Sequence, residues 1–413
     1  MKIHRILAAA LLGAALAAGP VGAEEVKVGA IYPLSGNAAN AGKSALDAVE
    51  LAVELVNGMH PELASLPSVG KGGLSNLGGA KIQLISADHQ GKPEEGQSQT
   101  LRLITQEHVS ALIGAYQSNV SFTATAVSER QGIPFVVGDS VAANITSRGF
   151  KWLVRVTPVA SDFAKNYMEY LGDIKKADHK VDSIAIVNEN TDYGTSVAGT
   201  LLEQAKSHGF NVAAQIPYNA NSTDVSAQVL QLKEKNPDCV IFVSYTADAI
   251  LYLKTMKNLN YLPPMIIGDD SGFSDPAFIP AVGDLAQGAM NRSAWAVGKP
   301  GSVTARINEL FKAKTGRDLD DTSARSMQAM LVLADAINRA GSSAPDKIMA
   351  ALKSTDLKQD QIIMGYRGVK FNDVGDNALA ATYLVQLQGK DYVAVWPTDK
   401  ALAPIQWPMK GWK

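Results

Sequence analysis

The chain has 413 residues, with 38 Lys plus Arg against 40 Asp plus Glu and a formal charge of −2. That balance, with no long run of either sign, argues against nucleic acid and anionic membrane surfaces as partners. The single cysteine, Cys239, excludes an intramolecular disulfide, and 46% hydrophobic residues over this length can fill two ordinary cores, in line with a chain of two or three domains.

Residues 1–23 carry a basic start (Lys2, Arg5), an apolar run at 6–18 and small residues at Val21 and Ala23. This is the pattern of a secretory signal peptide cleaved after Ala23. The apolar run falls short of the ~20 residues that cross a bilayer, so no membrane-spanning segment is expected. No cysteine lies near the cleavage point to carry a lipid anchor. Two stretches then follow, 26–137 and 184–268, that read in the same order of strand, helix, strand, helix, strand, helix and strand.

In the first stretch a strand at 26–32 is broken by Pro33-Leu-Ser-Gly36. Ala45, Ala48, Val49, Ala52, Val53 and Val56 recur at helical spacing and predict a helix over 42–57. Residues 58–79, rich in Gly, Pro and Ser, read as a long surface excursion. A strand at 81–86, a helix at 93–108, a strand at 111–114, a helix at 121–131 and a strand at 133–137 complete this half. An extended piece at 151–156 ends at Thr157-Pro158, the first crossing between lobes. The second stretch has strands at 184–187, 211–216, 240–243 and 265–267. Helices at 194–207, 225–235 and 247–259 lie between them, with Gly209 as a C-terminal cap and Ser222-Thr223-Asp224 as capping side chains. Cys239 opens the apolar run of the third of these strands and is expected in the core.

After another extended piece at 289–297, helices at 302–315, 323–340 and 345–354 have no strands of their own and are expected on the outside of the first lobe. Segments 366–371 and 381–387 read as a closing hairpin whose second arm returns to the second lobe. The expectation is an α/β protein of two doubly wound lobes joined by a multi-strand hinge. The first lobe takes 24–157 plus 289–377, the second 158–288 plus 378–400, and 401–413 is a tail. Several crossings permit hinge closure around a ligand.

Polar and aromatic residues collect just after the predicted strands: Tyr116, Gln117, Ser118 and Asn119; Asp139 and Ser140; Asn188, Glu189 and Tyr193; Ser244, Tyr245 and Thr246; Asp269 and Asp270. Singly, such residues serve as turn formers and caps. Collected at one edge of two sheets, they mark the place where doubly wound folds bind ligands. Ser118-Asn119 opens a helix, whose N-terminus favours a carboxylate. Asp270, on the other lobe, can accept hydrogen bonds from an ammonium, and Tyr193 and Tyr245 can form a wall. The pair of charges suits a zwitterion.

Enzymatic motifs are weak. Gly36 to Gly42-Lys43-Ser44 imitates a phosphate loop but has five residues between its glycines where the motif needs four. No Gly-x-Ser-x-Gly elbow occurs. The six histidines are scattered without metal-ligand spacing, so neither a catalytic group, a metal nor a cofactor is expected. The Asn-x-Ser/Thr sequons at Asn119, Asn144, Asn221 and Asn291 read as incidental.

Four segments carry a family likeness: Val26-Lys-Val-Gly-Ala-Ile-Tyr-Pro-Leu-Ser-Gly36; Ile133-Pro-Phe135 leading to Ile145-Thr-Ser-Arg-Gly-Phe150; Val154-Arg-Val-Thr-Pro158; and Ile184-Ala-Ile-Val187 followed by Asp192-Tyr-Gly194. Through them nearly the whole mature chain resembles the periplasmic leucine/isoleucine/valine-binding proteins, the type 1 solute-binding components of ABC importers. The resemblance implies a periplasmic protein that passes a small amino acid, branched-chain or otherwise aliphatic, to a membrane permease; no enzymatic activity is expected from the motifs, and a monomer is the default expectation. By position it places the ligand carboxylate on Ser118 and the backbone around Asp139, Ser140 and Val141. It puts Tyr193 and Tyr245 on the second-lobe wall and the ammonium on Asp270. Two positions depart: Val141 stands where a threonine often helps hold the carboxylate, and Ala41 where an aromatic side chain often meets the ligand's tail. They leave room for another polar or carboxylated solute, such as an aromatic acid, an amide or urea. A sensor feeding a membrane receptor is a further alternative.

Overall fold

The computed structural model describes residues 25–177 and 179–409. The signal segment expected at 1–23 and the end of the tail lie outside them. The first lobe opens with β1 (Val26–Tyr32), α1 (Ala39–Asn57), β2 (Ile82–Asp88), α2 (Pro93–Thr105), β3 (Ala111–Gly114), α3 (Ser118–Gln131), β4 (Phe135–Val137) and β5 (Leu153–Arg155). The strands form one parallel sheet in the order β2-β1-β3-β4-β5. The chain crosses at Thr157-Pro158 into α4 (Ala160–Lys176), β6 (Ser183–Glu189), α5 (Asp192–Ser207), β7 (Asn211–Tyr218), α6 (Ser226–Lys235), β8 (Cys239–Val243), α7 (Thr246–Asn258) and β9 (Met265–Gly268). The short helices α8 (Ser271–Ser274) and α9 (Phe278–Val282) and the strand β10 (Met290–Ser293) complete this run.

A second crossing then returns the chain to the first lobe. There α10 (Val303–Thr315), α11 (Asp321–Ala340), α12 (Pro345–Lys353), β11 (Asp356–Lys358) and β12 (Gly368–Lys370) follow, and a third crossing brings β13 (Tyr383–Gln388) and β14 (Asp391–Trp396) onto the second sheet. That sheet runs β14-β13-β10-β9-β8-β6-β7, parallel from β7 to β10 and antiparallel at β13 and β14.

Both sheets are covered on both faces, which is why their strands read as unbroken apolar runs rather than strict alternations. In β1, Val28 and Ala30 face one core of the first lobe and Ile31 the other; in β8, Cys239, Ile241 and Val243 face one core of the second and Val240 and Phe242 the other. Helix α11 is buried along nearly its whole length, between α1 and the first sheet.

Two expectations need correction. Segments 366–371 and 381–387 are not partners: β12 pairs with β11, while β13 lies between β10 and β14. The first lobe does not resume at 289, because Met290–Ser293 is a strand of the second sheet, and the crossing follows it. The stretch 58–79 is also less open than its composition suggests. Leu63, Leu66, Val69 and Leu74 are buried in the first core, and the Asn76 amide donates to Asn338 Oδ1 at 2.9 Å.

The repeated architecture brings a repeated steric demand. A Cβ on Gly42, in the first turns of α1, would stand 2.0 Å from the Pro33 carbonyl oxygen, and one on Gly194, in α5, 2.0 Å from that of Glu189. The apparent phosphate loop thus owes a glycine to helix packing. The Gly194 amide also donates to Glu189 Oε1 at 2.6 Å, fixing the start of α5 to the end of β6. Gly194→Ala is expected to cost about 1–3 kcal/mol through this overlap, read as a lower urea midpoint; an unchanged midpoint would show that the turn yields freely.

Candidate functional site

In sheet one the strand order reverses between β1 and β3, and in sheet two between β6 and β8, so the two crevices lie at the carboxyl ends of these strands. The loops there face each other across the cleft. Six of the seven site residues expected from sequence, Ser118, Asp139, Ser140, Val141, Tyr193 and Tyr245, line one cavity there, joined by Tyr116 and Ser271. The cavity measures about 10 Å³, room for about one water. Seating a larger molecule requires the lobes to part.

Each wall has a local cause. Ser118 is the first residue of α3, and its Oγ accepts from the Ala142 amide at 3.4 Å. Across the cleft the Tyr245 hydroxyl meets the Ser118 amide and the Thr191 side chain. The Ser140 hydroxyl is engaged internally, with Tyr116 O at 2.9 Å and Ser121 Oγ at 2.7 Å, so only its backbone faces a ligand. Val141 packs its side chain into the second core while its carbonyl receives the Ala160 amide at 3.2 Å. The Tyr193 hydroxyl is turned onto the Asp269 carbonyl and carboxylate, leaving its ring against Tyr245 with centroids 5.2 Å apart; Tyr116 approaches Tyr245 from the other lobe at 5.9 Å. Further cross-cleft hydrogen bonds run from Asn37 Nδ2 to Asn221 Oδ1 at 2.8 Å and from the Ala143 amide to Ser196 Oγ at 3.1 Å.

Asp139 is the charged side chain of the cavity wall. Its Oδ2 accepts from Ser326 Oγ at 2.6 Å, whereas its Oδ1 is buried without a hydrogen-bond partner. Burial pushes this carboxyl up to about 7, against the opposing pull of Arg325 and the Ser326 hydrogen bond and with added repulsion from Asp270 and Asp320.

Asp270 is placed differently from the expectation. It is fully buried, does not line the cavity, and has both oxygens occupied: Oδ2 by Arg325 and by Arg292 Nη2 at 3.3 Å, Oδ1 by Ser274 Oγ at 2.5 Å. Burial opposes its ionisation, but the two guanidinium groups outweigh it and hold the carboxyl below its ordinary range. Neighbouring Asp269 is taken by Tyr167, Tyr193 and Arg292.

Sequence reasoning missed Arg292 and Arg325, which carry no local signal, and His89. The buried His89 ring accepts the Gly91 amide on Nδ1 at 3.1 Å and so donates from Nε2 to Ala115 O at 2.9 Å, bracing the strand end that carries Tyr116. Burial lowers its pKa to about 4, which keeps the ring neutral. Among the described residues no group of three or more His, Cys, Asp or Glu could hold a metal ion, and no helix is long and apolar enough to cross a membrane.

Residues 25–391 match the family model described as periplasmic binding protein. The chain belongs to the periplasmic binding protein family. It is 32% identical to "Leu/Ile/Val-binding protein homolog 8" of Brucella suis biovar 1, over 98% of this chain and 99% of that one. Among solved structures, this binding protein shares its fold with LivJ of Streptococcus pneumoniae in complex with isoleucine (TM-score 0.76, 20% identity, 93% of this chain and 100% of the other). It shares it also with a solute-binding protein of R. palustris in complex with benzoate (TM-score 0.74, 18% identity, 90% and 95%). The α/β architecture of two lobes is thus that of the type 1 periplasmic binding proteins.

Proposed function

We propose that the protein is exported, with its signal cleaved after Ala23, and captures a small amino acid between its lobes for delivery to an ABC permease. It acts as a monomer in the periplasm. Its lobes on this reading comprise 25–157 with 294–380, and 158–293 with 381–400. One observation carries the reading: a cation acceptor and an anion site stand beside one another in a cavity closed by both lobes. Asp139 Oδ1 lacks a hydrogen-bond partner among the described residues, and the Ser118 amide at the start of α3 meets the Tyr245 hydroxyl of the other lobe. A ligand carboxylate replaces the Tyr245 hydroxyl at the Ser118 amide, joined by the Ser140 and Val141 backbone. The ammonium is received by Asp139 rather than by Asp270, and Tyr193 and Tyr245 enclose the ligand from the second lobe. Such a solute is hydrogen-bonded by the first lobe and meets the Tyr193 and Tyr245 rings of the second only when the lobes close, and that difference in affinity drives closure.

The resemblance favours an aliphatic amino acid. An aromatic acid is the weaker alternative, since it brings no group for Asp139. A neutral amide or urea, donating N–H to that carboxyl, is the second reading. Calorimetry on protein freed of ligand by unfolding and refolding tests the proposal. Binding of at least one of leucine, valine, alanine or a wider set of amino acids is expected, and silence across the whole set, with an amide or urea binding instead, would overturn it.

A further inference from the structure

At the mouth of the cleft, beside the small cavity, lies a further interlobe chamber of about 320 Å³. Asn37, Gln117 and Asn119 line it from the first lobe and Thr191 and Asn221 from the second, and the bond between Asn37 and Asn221 spans it. Tyr245 stands between the two spaces: it lines both, and its hydroxyl meets the Ser118 amide and the Thr191 side chain. A ligand carboxylate that takes the Ser118 amide frees this hydroxyl, so the spaces join as the site fills.

The lining is polar and almost uncharged. Its apolar members are three alanines and the Tyr245 ring, and among the described residues no carboxylate belongs to it. The lysine of this wall, Lys92, is exposed and donates to Gln90 Oε1 at 3.1 Å. Asn37 and Asn221 spend one end of each amide on their mutual bond, and Asn119 spends its Oδ1 on the Val120 amide at 2.9 Å; among the described residues the other ends, Asn37 Oδ1, Asn119 Nδ2 and Asn221 Nδ2, carry no hydrogen bond. Gln117 differs from these in its burial. Its side chain is 8% exposed, Oε1 is buried without a partner, and among the described residues Nε2 makes no hydrogen bond either. A Cβ on Gly91, a residue of the same wall with φ 74°, would stand 3.0 Å from Gln117 Nε2, so the absent side chain leaves that nitrogen uncovered. The terminal torsion of glutamine is soft, and the amide can present either its N–H₂ or its carbonyl to the chamber. A buried amide with neither end bonded calls for a partner that both donates and accepts. An apolar tail offers neither, a cationic tail finds no carboxylate, and an anionic one meets only a solvated lysine.

We propose that this chamber receives a neutral carboxamide tail of the solute and that Gln117 is the residue that selects it. The tail carbonyl accepts from Gln117 Nε2 and Asn119 Nδ2, and the tail N–H₂ donates to Asn37 Oδ1. Asn221 Nδ2 adds a bond from the second lobe, so recognition of the tail also favours closure. The inference rests on the amino-acid reading of the adjoining cavity and narrows it from the aliphatic class to an amino acid with an amide side chain, glutamine or asparagine. Discrimination follows from what an apolar analogue leaves behind, since polar groups built to bond a tail stay unpaired when it cannot answer them. The volume holds such a tail together with several waters, each of about 30 Å³.

The test is calorimetry of the refolded mature chain with L-glutamine, L-asparagine, L-glutamate, L-methionine and propionamide, the glutamine side chain without its amino-acid head, on the wild type and Gln117→Met. Methionine at 117 keeps the length of the side chain and removes the amide; thermal melts check that the variant folds, and the order of ligands on the wild type is a test in its own right. Glutamine or asparagine is expected to bind at least about tenfold more tightly than methionine and glutamate, with Gln117→Met removing most of the preference over methionine while leaving methionine itself unchanged. Methionine or glutamate binding as tightly as both amides would overturn the carboxamide chamber and leave the amino-acid reading standing. So would a preference that Gln117→Met leaves intact, or a substitution that weakens all ligands alike. Propionamide binding that depends on Gln117, with no amino acid bound, would support the chamber while removing that reading. No binding by any of the five would overturn the chamber.

Discussion

Replacing Arg325 by methionine is expected to lower the unfolding free energy by about 3–5 kcal/mol, the usual consequence of removing one partner from a buried ion pair. Arg325 sits in the second turn of α11, within a wholly buried stretch, and is only 2% exposed. Its guanidinium binds Asp270 of the second lobe, Asp321 Oδ2 at 3.0 Å and Thr157 Oγ1, on the first crossing, at 3.2 Å. Asp321 in turn receives Ser293 Oγ at 2.8 Å and the amides of Ala294 and Trp295 at 2.6 and 3.1 Å, which fixes the second crossing. One cation thus ties together two crossings and both lobes. Methionine keeps the length and apolar bulk of the arginine but leaves Asp270 with the Arg292 guanidinium at 3.3 Å and the Ser274 hydroxyl. Urea unfolding of the ligand-free protein measures the loss, and a cycle with Asp270→Asn should show the double variant losing less than the sum of the single ones. A loss under about 1 kcal/mol would mean that Arg292 compensates and that the lobes do not depend on this cation.

The same network shows where the sequence could be read and where it could not. The parallel strands were legible because burial on both faces makes them short apolar runs between turn residues, as at Cys239–Val243. The strand ends that line the cleft were legible for the same reason: once β3, β4, β6 and β8 are found, Ser118, Asp139, Tyr193 and Tyr245 follow by counting. The three-residue strands β11 and β12 carry no period, so the segment at 366–371 was joined to the wrong partner. The role of Asp270 was illegible for a different reason. Its partner lies 55 residues away in a helix whose Asp, Thr, Ser, Arg and Gln residues suggest a solvated face, although the helix is buried. A carboxylate at a strand end looks the same in sequence whether it waits for a ligand or is already neutralised by the protein. Asp139 and Asp270 are this pair of cases, and only the positions of the arginines separate them.

Asp139→Asn is therefore expected to weaken binding of the amino acid more than tenfold, since a hydrogen bond to a charged group contributes ~1.5–3 kcal/mol. Asparagine can still accept from Ser326, so the change acts on Oδ1. The pH dependence supplies a second reading of the same group. Facing Asp139 are Arg325 and Ser326 from α11, Asp320 at its start, Asp270 from beyond β9, and the hydroxyls of Tyr32 and Tyr116. Their sum with burial sets the carboxyl at about 7 in the ligand-free protein. A bound ammonium favours the ionised form, so below that pH binding must first expel a proton, and affinity should fall toward tenfold per pH unit. In the ligand-free protein the sign is opposite. The folded carboxyl holds its proton up to about 7 while the unfolded one releases it near ~3.9, so this group's stabilising contribution is complete below the lower value and is lost as pH rises through the higher. Calorimetry and urea midpoints between pH 5 and pH 8 should thus show affinity rising while ligand-free stability falls, and the asparagine variant should lose both slopes. A wild-type affinity that is flat across this interval, or one that Asp139→Asn leaves intact, would remove Asp139 from the ligand's ammonium.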